Sequence, residues 1–121
     1  MSCPFCEPDV GRVFFDKDPA FLCLWDGFPV SPGHALIVPK RHVATWFEVT
    51  SEEQASLLKG VDIARQDIEK RYKPDGFNIG INTGAAAGQT IPHLHVHLIP
   101  RYVGDVEDPR GGVRYVIPSK A

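Results

Sequence analysis

This chain has few of the features that would place it outside the cell or in a bilayer. Three cysteines among 121 residues cannot build a disulfide framework. None is needed, since a domain of this length buries about two thirds of the surface its unfolded chain exposes. No apolar run is long enough to span a membrane, and Met1-Ser2-Cys3-Pro4-Phe5-Cys6 lacks the basic and apolar regions of a secretion leader. Those absences point to a cytoplasmic protein with no membrane partner. Charge of one sign is missing too. The formal net charge is −2 with acids and bases interspersed, so no basic stripe tracks a nucleic-acid backbone and a duplex is not an expected substrate. Neither internal repeats nor a second domain is visible, and residues 1–121 read as one domain.

What is present begins with the cysteines. In a reducing compartment Cys3-x-x-Cys6 suggests a metal or redox role, whereas Cys23, inside Phe21-Leu22-Cys23-Leu24-Trp25, reads as a small buried hydrophobe. Two strands are expected over residues 12–15 and 20–25, joined by a turn at Lys17-Asp18-Pro19. After a loop rich in Gly and Pro, a third strand over 34–38 is expected to stop at Pro39. Thr50-Ser51-Glu52-Glu53 matches a capping box and opens a long helix to about Tyr72, with Leu57, Val61, Ala64, Ile68 and Tyr72 on one apolar face. Residues 77–82 alternate as a half-buried strand, antiparallel to a last strand over 93–99.

That last strand carries the most informative stretch, His93-Leu94-His95-Val96-His97. Alternation along a strand puts three imidazoles on one face and Leu94, Val96 and Leu98 in the core. An ordinary solvated face would mix Thr, Lys and Glu, so the repeat reads as chemistry. In a phosphoryl-transfer device the middle imidazole, His95, attacks phosphorus if a backbone acceptor holds its other ring nitrogen, while His97 supplies charge to the nonbridging oxygens. Gln89 and Thr90 stand where side chains can bond phosphate or a leaving group, and Gly84 and Gly88 let backbone approach an anion. Asp26, before Gly27, reads either as a turn residue or as an acceptor for vicinal ribose hydroxyls. Two thiolates of the Cys motif with two imidazoles from His34, His42 and His93 would make a closed tetrahedral zinc site that stabilises the fold.

The run Gly88-Gln89-Thr90-Ile91-Pro92-His93-Leu94-His95-Val96-His97-Leu98-Ile99-Pro100-Arg101 resembles the signature of the histidine triad (HIT) family of nucleotide hydrolases and transferases. Asp26, Pro32-Gly33-His34-Ala35-Leu36-Ile37-Val38-Pro39-Lys40-Arg41-His42 and Asn82-Thr83-Gly84 extend the match in the family's order. The resemblance implies an α+β fold: a five-stranded antiparallel sheet, one long and one short helix, paired as a homodimer that binds a purine nucleotide. It further implies His95 as the nucleophile that becomes nucleotidylated, His97 at the scissile phosphate and Asp26 at the ribose. Asn82, Gln89 and Thr90 would hold phosphates and leaving group, with His34 behind the site and Phe5 against the base. Some bacterial members carry a structural zinc, whose matching ligands here are Cys3, Cys6, His42 and His93, so that His93 is shared between triad and metal.

The expected activity is release of a nucleoside monophosphate, AMP, from a dinucleoside polyphosphate or a nucleoside phosphoramidate through a nucleotidyl-histidine intermediate. The tail from Asp105 to Arg114 looks like that of bacterial diadenosine tetraphosphate hydrolases. Arg110 and Arg114 are its candidates for distal phosphates, and residues 102–121 for completing the site or the dimer. Two alternatives are a hydrolase whose His93, His95 and His97 ligate a catalytic zinc, and a nucleotide-binding module with little turnover.

Overall fold

The computed structural model describes residues 3–121; Met1 and Ser2, which belong to the expected domain and to the segment read as lacking a leader, lie outside that range. Five strands form one antiparallel sheet: β1 (Val13–Phe15), β2 (Phe21–Trp25), β3 (Ala35–Pro39), β4 (Gly76–Gly80) and β5 (Val96–Arg101), in the order β1-β2-β3-β5-β4. One α-helix, α1 (Ser51–Arg71), packs across it. In place of an expected short second α-helix the described residues carry 3-10 segments of three to five residues, such as Trp46–Glu48, Ala85–Ala87 and Gly112–Val116.

Thr50 caps α1 as its sequence requires. Its side chain accepts from the Glu53 amide at 3.0 Å, and the Glu53 carboxylate accepts from the Thr50 amide at 2.9 Å. That carboxylate also takes two hydrogen bonds from Arg41, at 2.9 and 2.8 Å, tying the helix start to the chain after β3. Leu57, Ala64 and Ile68 are buried against the sheet; Tyr72 is exposed as the C-cap. Gly60, absent from the expected stripe, lies between them. A Cβ there would sit 2.7 Å from Ile37 and 2.8 Å from Phe21, so glycine lets the helix approach the sheet this closely.

Residues in β2 and β3 are buried on both faces, and so read as continuous apolar runs. Phe21, Cys23, Ala35 and Ile37 meet α1, whereas Leu22, Leu24, Leu36 and Val38 form a second core on the other face, closed by Phe5. The third strand runs through Pro39 instead of stopping before it, with Pro39 opposite Phe21. In β5 the alternation is strict: Val96 and Leu98 point to α1, while His97, opposite Leu36, points to the second face. That face carries the site.

Candidate active site

His93 and His95 lie before β5, in chain that is not strand, and only His97 belongs to the ladder. The expected row of three imidazoles is therefore divided. Its upstream chain, Ile91 and Pro92, bends, and His93 turns inward until it is 0% exposed. His95 and His97 remain neighbours, with ring centroids 5.1 Å apart.

Hydrogen bonds fix the donor nitrogen on His34, His95 and His97. The His93 carbonyl lies 2.9 Å from His95 Nδ1, which must therefore donate, so that Nε2 is the lone-pair nitrogen of the neutral ring. A backbone amide, that of Val30, donates to His34 Nδ1 at 3.2 Å, so the proton of His34 resides on Nε2. That Nε2–H stands 3.0 Å from His97 Nδ1 and 3.3 Å from an Asp26 carboxylate oxygen. With Nδ1 of His97 accepting, its Nε2 carries the proton. Burial, reinforced by the neighbouring His95 and His34, pulls His97 down to about 4, and burial also lowers His34 against the attraction of Asp26. Both rings are neutral near pH 7. The pair thus offers one bare nitrogen, on His95, beside one N–H donor, on His97.

Asp26 is both turn residue and site residue. One carboxylate oxygen accepts the Phe28 amide at 2.7 Å and the other faces His34, with His97 Nδ1 3.9 Å away. The loop after β4 holds Gly84 and Gly88 at φ +89° and +96°, with Asn82 beside Gly88. Gln89 is spent within the loop: it accepts from the Gly84 amide at 2.9 Å and donates to the carbonyls of Ala44 at 2.8 Å and Ile91 at 3.0 Å. It shapes the Gly84–Gly88 loop instead of presenting a free amide. Thr90 is exposed beside it. Phe5, expected against a base, is 4% exposed, its ring 4.8 Å from that of His95.

Cys3, Cys6, His42 and His93 come together with ligand atoms within 4.8 Å of one another. His93 Nε2 donates to the Pro39 carbonyl at 2.8 Å, so its Nδ1 is a bare lone pair. That lone pair faces His42 Nδ1 at 3.1 Å, Cys3 Sγ at 3.4 Å and Cys6 Sγ at 3.5 Å, and Cys6 Sγ is 3.1 Å from His42 Nδ1. Around tetrahedral zinc, bond lengths of about 2.3 Å to sulfur and 2.0–2.1 Å to nitrogen space nitrogens by about 3.3 Å and sulfur from nitrogen by about 3.6 Å. The cluster fits such an ion. The Pro39 carbonyl supplies the outer hydrogen bond that orients a ligating imidazole. Among the described residues no such group joins His93 to His95 and His97.

On the same face beyond His97, Ile99, Val30, Pro32, Tyr102 and Tyr115 line a cavity of about 670 Å³ closed by the tail. Arg110 pairs with Asp108 at 2.8 Å, and Arg114 donates to the Lys120 carbonyl at 3.1 Å. Neither guanidinium lines that cavity. Side-chain patterns carry no signal for the carbonyls of Pro39 and His93 or the amide of Val30, the backbone groups on which these tautomers depend.

Residues 8–104 match the HIT domain. The asymmetrical bis(5'-nucleosyl)-tetraphosphatase of Schizosaccharomyces pombe is 42% identical over 104 residues, which are 86% of this chain and 57% of that protein. An adenylylsulfatase of Arabidopsis thaliana is 39% identical over 103 residues, 83% of this chain and 52% of that one. The chain thus spans about half the length of these curated relatives. Among solved structures, a zinc-bound histidine triad family protein from Mycobacterium smegmatis superposes with a TM-score of 0.75 at 30% identity, covering 98% of this chain and 93% of that one. With the domain match spanning most of the chain and the fold shared at that identity, this protein belongs to the HIT family.

Proposed function

We propose that this protein is a nucleotide hydrolase that releases a nucleoside monophosphate, AMP, from a dinucleoside polyphosphate or a nucleoside phosphoramidate through a covalent intermediate on His95. The observation that carries the reading is the fixed tautomer pair, a bare Nε2 on His95 beside an N–H on His97. Nε2 of His95 forms a bond to phosphorus as the bond to the leaving group breaks, and the electron pair departs with that group, a nucleotide leaving as its phosphate anion and an amine taking up a proton from solvent. His95 keeps its Nδ1 proton on the His93 carbonyl, which stabilises the positive charge the ring acquires. His97 donates to an oxygen of the transferring phosphoryl group, where negative charge grows. Water then attacks phosphorus, the N–P bond breaks, its pair returns to Nε2, and the water's surplus proton passes to solvent.

The named relatives act on a dinucleoside tetraphosphate and an adenylyl sulfate, both of which carry an anhydride at a nucleotidyl phosphorus. Asp26, with lone pairs left beyond its Phe28 and His34 contacts, accepts from the ribose hydroxyls. Glycine-hinged backbone near Asn82 and Thr90 takes the phosphates. In this reading Cys3, Cys6, His42 and His93 hold a zinc that stabilises the fold and touches no reacting atom. A zinc on all three histidines of the triad is disfavoured, because both ring nitrogens of His93 are directed elsewhere. A homodimer is the functional unit: β4 has a free edge among the described residues, with Ile79 53% exposed on it and Leu58 61% exposed on α1.

Rapid quench during turnover of diadenosine tetraphosphate, followed by mass spectrometry of the intact protein, tests the chemistry. An adenylyl adduct should appear on the parent and be absent from His95→Ala, whose turnover should fall by about three orders of magnitude or more while nucleotide binding persists. A His95→Ala enzyme keeping a tenth of parental activity would refute the reading.

A further inference from the structure

The Cys3-Cys6 turn does more than supply two thiols. Amides of Cys6 and Glu7 both donate to the Cys3 carbonyl, at 3.1 and 2.9 Å, winding the segment into one tight turn. The two sulfurs lie on one side of it, and Phe5, between them in sequence, enters the second core. Its ring stacks at a tilt of 51° on His95, centroids 4.8 Å apart, and meets His93 edge-on at 5.9 Å. His95 precedes β5, so contacts with neighbouring side chains and backbone, not strand alternation, set the direction of its ring.

The opposite constraint on His95 comes from the same cluster. His93 is held at Nε2 by the Pro39 carbonyl and has its Nδ1 among the four ligand atoms. Its amide donates to the Ile91 carbonyl at 2.8 Å, and the next amide, that of Leu94, donates to the carbonyl of Val43 at 2.7 Å, one residue from His42. The amide of the His93–Leu94 peptide is thus held beside His42, and its carbonyl is what holds His95 Nδ1.

We infer that the metal-binding turn is also the clamp on the nucleophile: Phe5 fixes the plane of the His95 ring, and the His93 carbonyl, immobilised by the cluster, fixes its tautomer. Phe5 is thus a positioning residue, and the cluster is coupled to the chemistry without touching substrate. The kinetic consequence rests on the reading of His95 as nucleophile, whereas the structural clamp stands apart from that reading.

Nitrogen-15 NMR of the histidine rings in zinc-loaded protein without substrate tests it directly. In the parent, His95 should show a protonated Nδ1 with a slowly exchanging proton and an unprotonated Nε2. Phe5→Ala should keep one zinc per chain, yet show a mixture of His95 tautomers and fast exchange at Nδ1. Its kcat should fall about tenfold with KM within about twofold, as expected for a displaced reacting atom. Phe5→Leu should recover part of both. Chelation of the parent should reproduce the spectral change while the buried amides of α1 stay protected. Unaltered His95 signals in Phe5→Ala, or loss of metal from both Phe5 variants, would overturn the role of Phe5; unaltered signals on chelation would overturn the coupling. If the signals respond as expected but no adduct forms on His95 of the parent, the proposed function fails and the clamp stands.

Discussion

At the residue scale, the site works by assigning protons. The chain has five histidines, and burial lowers three of them, His34, His93 and His97, so that these rings are held neutral. The cost appears in acid. His97 sits at about 4 in the folded chain and near 6.5 unfolded, and His34 is shifted the same way. As pH falls, the unfolded state binds protons first, so stability present above about pH 6.5 is lost progressively down to about pH 4. Between pH 7 and 5 the His97 contribution alone is about 2 kcal/mol. Urea unfolding at the two pH values should show this loss, reduced by that amount in His97→Gln; an unchanged pH dependence would mean that His97 is not held neutral. The triad itself is legible in sequence because packing alone gives no reason for imidazole at three alternate positions of an apolar stretch. Its division is not legible, because alternation holds only where the chain is strand, and residues 93–95 are bent away before the ladder begins.

At the scale of elements, local signals succeed where the cause is local. A capping box depends on four adjacent residues, and Thr50 to Glu53 form it. The expectation that β3 stops before Pro39 rests on the general ground that proline cannot donate to a ladder. Pro39 nonetheless takes the last position of β3, where its carbonyl is used by His93 and the amide that bonds across to Ala20 belongs to Lys40. Gly60 carries no local signal, because its role is set by Phe21 and Ile37, remote in sequence. Helix propensity favours alanine over glycine by about 1 kcal/mol, but a methyl 2.7 Å from Ile37 must displace sheet or helix. Gly60→Ala should therefore lose about 1–3 kcal/mol in denaturant unfolding. A stabilised Gly60→Ala would show that α1 can lift from the sheet at no cost.

At the scale of the whole molecule, metal and assembly both show in solution behaviour. If the four-ligand cluster holds zinc, free ion stabilises only the folded chain, by about 2.7 kcal/mol at a hundredfold excess over its Kd. Calorimetry should then show Tm rising with zinc and falling with chelator, while the apoprotein, below its own melting temperature, keeps reduced but measurable turnover. A Tm indifferent to chelator would remove zinc from the fold, and complete loss of activity in folded apoprotein would move it into the reaction. If a second copy completes the exposed edge of β4, light scattering should give twice the chain mass at micromolar concentration; a monomer would leave Ile79 and Leu58 without cover. No described helix is long and apolar enough to cross a membrane.

The four-ligand cluster also has a history within each molecule. Cys3 and His93 are separated by 90 positions along the chain, and a ribosome adds about 5–20 residues per second. During synthesis the two thiols therefore precede their last nitrogen partner by about 5–20 s. For that interval Cys3 and Cys6 are a pair of close thiols without their full ligand set, open to oxidation or to the wrong metal, and only the arrival of His93 closes the site. If the cluster holds zinc, the yield of correctly metallated protein would then be set partly by the redox state and zinc supply that the nascent chain meets, before β5 exists to receive it.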